Sequence, residues 1–135
     1  MRHDPRAEGR RWRDQARSDL RDGRILAEAG SHPSARFSAQ HAAEKALKAV
    51  LPSLGEEPWG HSLSELLQAV AERAEVAGRL ARAGHLDVYY IATRYPNGLP
   101  PGGRPQDVFG VEQSEEALGL AQKVIEFANG FVGAG

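Results

Sequence analysis

Six small apolar residues, Ala35, Ala39, Ala42, Ala43, Ala46 and Val50, recur between positions 35 and 50 at the spacing that places them on one side of an α-helix. A seam of such short side chains lets a second helix backbone approach closely, so this stretch calls for helix-on-helix packing and not for a sheet. Phe37, Leu47 and Leu51 widen its apolar face. Pro33 suits the first turn, with Ser31 or Ser34 as cap, and Pro52 ends the helix near Leu51.

The rest of the chain repeats the pattern. A first helix is predicted from about Glu8 to Ala29, with Trp12, Ala16, Leu20, Gly23 and Ala27 inward and Gly30 as its stop. A loop from Pro52 to Gly60 leads to the capping-box pair Ser62 and Glu65, followed by the stripe Leu63, Leu66, Leu67, Val70 and Ala74. A further helix over roughly 79–93 turns Leu80, Ala83, Leu86, Tyr90 and Ile91 inward and stops at Arg94-Tyr95-Pro96. Residues 96–110 read as a loop, because the Pro- and Gly-rich run at its start carries no apolar period. A last helix begins near Val111 with the stripe Ala117, Leu120, Ala121, Val124, Phe127, Ala128 and Phe131. No alternating strand pattern occurs. The expected fold is all-α: an up-and-down antiparallel four-helix bundle with one additional short helix, in a single domain spanning 1–135 with its core in about 10–132. Its core should include Leu20, Ala43, Ala46, Leu47, Val50, Leu66, Val70, Val124 and Phe127.

A chain of 135 residues is long enough for a true core without cross-links. It has no cysteine, which removes disulfides, thiolate metal sites and cysteine nucleophiles and agrees with a reducing cytoplasm. No apolar run reaches the roughly 20 residues of a membrane span, and the polar, Arg-rich start is unlike a secretory signal. The expectation is a cytoplasmic protein without a membrane role. A net charge of -1 argues against a general nucleic-acid coat. Yet eight Arg and five acids crowd into residues 1–24. Arg10, Arg13, Arg17, Arg21 and Arg24 form a stripe beside the apolar face of the first helix, read foremost as a solvated face laced with ion pairs.

The five histidines, at 3, 32, 41, 61 and 85, show no metal-ligand spacing on one helix, so neither a metal nor a cofactor is expected. Two groups of polar residues could carry function. Gln40, Glu44 and Lys48 line up at i, i+4 and i+8 on the second helix, with His41 and Lys45 beside them. They form either a solvent face with a Glu44–Lys48 pair or a face turned to a partner or nucleotide. Arg94 and Tyr95, with Tyr89, Tyr90 and Asp87, cluster where a helix opens into a loop. Tyrosine offers a stacking face and arginine a fork for phosphate. His61, ahead of a helix start, would add to the pull on an anion.

The run from Phe37 to Leu51, Phe-Ser-Ala-Gln-His-Ala-Ala-Glu-Lys-Ala-Leu-Lys-Ala-Val-Leu, resembles the signature second helix of HEPN domains (higher eukaryotes and prokaryotes nucleotide-binding). His61-Ser62-Leu63 and Arg94-Tyr95-Pro96 resemble that family's next two landmarks, and Asp19-Leu20 fits its leading helix. The resemblance covers roughly residues 10 to 132. It implies a helical bundle, commonly dimeric, of a kind often encoded beside small nucleotidyltransferases in toxin–antitoxin or two-part systems. It places a nucleotide-binding and assembly function first, with a homodimer, a nucleotidyltransferase and a nucleotide or RNA as partners; the chemistry and placement of the residues themselves make Arg94, Tyr95, His61, Lys48 and Glu44 the expected ligand-binding set. A ribonuclease branch of the family uses an Arg followed four to six residues later by a His. No His follows Arg94 at that distance, so an enzyme is not the first expectation. Arg79 and His85 match the spacing but lie before the Arg-Tyr-Pro landmark, so they are read as a chance match; the alternative of a metal-independent ribonuclease would use that pair, or Arg94 with His61, at a dimer cleft.

Overall fold

A computed structural model describes residues 4–57, 63–72 and 110–133. The first helix, α1, spans Pro5–Glu28 and starts three residues earlier than the apolar period suggests. The cause is local. The Asp4 carboxylate accepts the Arg6 N–H at 3.0 Å, and Pro5 needs no partner for the N–H it lacks. At its other end Gly30 takes a left-handed φ of 82°, and Ser31 N–H reaches back to Leu26 O at 2.8 Å. The chain reverses there and enters α2, His32–Val50. In place of the expected loop after Pro52, the chain winds into a 3-10 turn over Leu51–Leu54, closed by Gly55 at φ 79°. Two more helices are described, α3 at Leu63–Ala71 and α4 at Val111–Val132. The Gln113 side chain accepts the Gly110 N–H at 2.9 Å and seats the start of α4.

All of this is helix or turn, with no strand among the described residues. α2 is central and packs against α1, α3 and α4, while α1 also packs on α4. His32 and Arg36 of α2 meet Ser114 and Gln113 of α4, so these two helices start at the same end of the molecule. α1 runs against both, since Arg10 near its start reaches the end of α4. These directions are those of the expected up-and-down bundle.

The alanine seam of α2 is wholly consumed inside the chain. Ala35, Ala39, Ala42, Ala43, Ala46 and Val50 have no exposed surface. They are joined in the core by Leu20, Leu47, Leu66, Val70 and Val124 as expected. Phe127 is a correction: it only lies against the core, partly buried, as do Leu120 and Phe131. The buried face of α4 is instead Ala117, Leu118, Ala121, Val124, Ile125, Ala128 and Val132. Helix α4 faces α1 and α2 together, which turns Leu118, Ile125 and Val132 inward.

Two glycines set how closely α1 can lie on its neighbours. A Cβ on Gly9 would stand 2.5 Å from both the Ala49 carbonyl oxygen and Val132 Cγ1. One on Gly23 would stand 2.8 Å from Leu118 Cδ2.

The arginine stripe of α1 is solvated only in part: Arg10, Arg21 and Arg24 are exposed as expected, Arg17 is half-buried, and Arg13 departs from the expectation. Arg13 is 1 % exposed. Its guanidinium donates to Asn129 Oδ1 at 2.7 Å and to the Gly133 carbonyl, and meets Asp14 at 2.9 Å. Arg10 donates to Val132 O at 2.9 Å, and Arg17 to Asn129 Oδ1 at 3.4 Å. Three cations thus close the C-terminal end of α4, where free carbonyls and the helix dipole favour positive charge.

Candidate functional site

The polar stripe of α2 packs onto α1. Lys48 Nζ sits 3.2 Å from Glu44 Oε1, as the i,i+4 spacing predicts, and 5.2 Å from the centroid of the Trp12 ring. One turn away, Lys45 Nζ meets Asp19 Oδ2 at 2.7 Å, and Asp19 Oδ1 accepts from Gln15 Nε2 at 3.1 Å. Gln40 is buried, and His41 lies against Phe37 with ring centroids 4.4 Å apart. The stripe is therefore not simply solvated: both ion pairs have most of their side-chain surface covered.

Glu44 and Asp19 balance Lys45 and Lys48, so this half of the candidate site holds no net charge. Lys48 carries three N–H donors, so its pairing with Glu44 lowers its pull on an anion without barring a contact. The other residues expected at the site are His61, Arg94 and Tyr95. These lie outside the described residues, as do Arg79 and His85 and the predicted helix at 79–93. The structure brings Lys48 and Glu44 together and adds Trp12, Asp19 and Gln15, which the sequence reading did not assign to the site. The signals for them were the place of Trp12 on the inward face of the first helix and the fit of Asp19-Leu20 to the leading helix of the HEPN resemblance. At the far end of α2, His32 Nδ1 lies 2.9 Å from Ser114 Oγ. That hydroxyl donates to Val111 O at 3.0 Å and is fully buried, so the pair tethers α2 to α4 and offers no nucleophile. Among the described residues no three His, Asp or Glu lie together as metal ligands. No described helix is long and apolar enough to cross a membrane.

Antiparallel helices closed around an alanine seam, with a charge-balanced polar strip against the leading helix, define an all-helical bundle domain. Residues 10–131 match the family model of the HEPN domain, and the chain belongs to that family. Similar solved structures agree. TT1696 from Thermus thermophilus is 40% identical over 91% of this chain and 97% of its own, with a TM-score of 0.84. ST0689, described as an archaeal HEPN homologue, is 28% identical over 93% of this chain and 98% of its own, at a TM-score of 0.76. The HEPN domain protein tm0613 from Thermotoga maritima is 29% identical over 92% and 98%, at 0.71. A search of curated proteins returned no match.

Proposed function

We propose that the chain is a nucleotide-binding and assembly module that acts as a homodimer with a small nucleotidyltransferase, in a two-part system of toxin–antitoxin type. The observation that carries this reading is the HEPN match, which runs over residues 10–131 and contains the α2 polar strip. The alanine seam is spent inside one chain, so the dimer uses a different surface.

In this reading Arg94 grips phosphate, Tyr95 offers its ring to the base, and His61 adds positive charge beside a helix start. Lys48 completes the phosphate contacts with the ammonium donors that Glu44 does not take, while Trp12 keeps the ammonium over its ring. Calorimetric titration of ATP and AMP tests the site. Arg94→Ala should weaken binding about tenfold or more, as loss of a charge-assisted contact does. Lys48→Ala should weaken it less, because its charge is already compensated in the free protein. Equal affinities for wild type and Arg94→Ala would remove Arg94 from the site.

A further inference from the structure

A groove of about 400 Å³ runs between α1 and α4, on Arg17, Arg21, Arg24 and Ile25 of the one and Gln122 and Ile125 of the other. Its floor is aliphatic, with Leu20 and Ile125 buried beneath, and Ile25 stands 58 % exposed in it. Its rim carries three arginines against one carboxylate, Glu28 at the end of the groove, and Arg17 also lies 4.0 Å from Asp14. Arg17, Arg21 and Arg24 follow one another at i, i+4 and i+7, a spacing at which like charges repel. Two of the three are held in place, Arg24 on Gln122 Oε1 at 3.0 Å and Arg17 on Asn129 Oδ1 at 3.4 Å. From Arg17 to Glu28 the groove covers twelve residues of α1, or about 16 Å from first to last, the length of three helical turns.

We propose that this groove docks an acidic amphipathic helix of a partner protein. An exposed isoleucine framed by arginines matches a segment whose apolar face enters the groove and whose flanking carboxylates meet Arg17, Arg21 and Arg24. Such a segment relieves the repulsion within the arginine row. Single-stranded RNA fits less well, since none of the described lining residues is an aromatic that could stack a base. A second copy of this chain fits poorly too. Antiparallel pairing that sets Arg17 of each copy against Glu28 of the other also sets Arg21 of each against Arg24 of the other. The proposal is independent of the nucleotide site and of the partner's being a nucleotidyltransferase.

The test uses the full chain and fluorescence anisotropy. The probe is a labelled helical peptide of about five turns, with leucines at i, i+3, i+4 and i+7 and glutamates on both flanks. Its twin carries lysine for every glutamate. The acidic peptide should bind, more weakly as salt rises, and its twin should not. Arg21→Glu and Ile25→Asp, both at exposed positions, should each weaken binding about tenfold or more while leaving the helical circular dichroism and melting temperature in place. The proposal is overturned if the acidic peptide binds no better than its twin, or if neither substitution changes its affinity. It is equally overturned if a single-stranded oligoribonucleotide occupies the groove in its place, or if Arg21→Glu changes the mass of the chain in solution and so marks a self-association surface.

Discussion

Gly9→Ala should destabilise the fold by about 1–3 kcal/mol, the usual cost of forcing a methyl into a packed interior. The sign is what makes this substitution informative. In the middle of an exposed helix the same change would stabilise by about 1 kcal/mol, because alanine is the better helix former. At position 9 the added methyl would lie 2.5 Å from the Ala49 carbonyl oxygen and equally close to Val132 Cγ1. The valine can rotate away, but the carbonyl belongs to the backbone of α2, so α1 itself must move. Urea unfolding should show a lower midpoint with an unchanged slope. An unchanged or higher midpoint would mean that α1 does not cross α2 and α4 this closely.

Arg13→Met should cost about 2 kcal/mol or more. Methionine keeps much of the side-chain volume, so the loss reports on the guanidinium. That group satisfies Asn129 Oδ1 and the Gly133 carbonyl at the end of α4, and hydrogen bonds to a charged group contribute about 1.5–3 kcal/mol each. Asp14 contributes little to this sum, since it is exposed and screened. A loss below about 0.5 kcal/mol, the range of an ordinary surface change, would extend the solvated-face reading of the stripe to Arg13 as well.

Arg13 also shows where sequence reasoning stops. Periodicity identifies which face of a helix is apolar, and for α2 that sufficed, because alanines alternate there with longer polar side chains. On α1 the residues flanking the apolar face are arginines with aspartates nearby, a pattern equally suited to solvent. What buries Arg13 is the end of α4, more than a hundred residues away in sequence. Helix α4 itself is apolar on two sides, so choosing Leu120, Phe127 and Phe131 over Leu118, Ile125 and Val132 required knowing its neighbours. The early start of α1 rested on the short Asp4-Pro5 cap, ahead of any apolar repeat. The site divides in the same way. Glu44 and Lys48 were legible because their pairing is local to one helix. The Lys48–Trp12 and Lys45–Asp19 contacts cross between helices, and helix-to-helix register is absent from the period of either one.

Purification of the tagged full chain from cells that make it, followed by light scattering and mass spectrometry of the intact complex, tests the proposed module most directly. The expected result is two copies of the 14.6 kDa chain in a fixed ratio with a nucleotidyltransferase. A chain that elutes alone at 14.6 kDa, or one that carries RNA and cleaves it in a manner abolished by His85→Ala, would contradict the proposal.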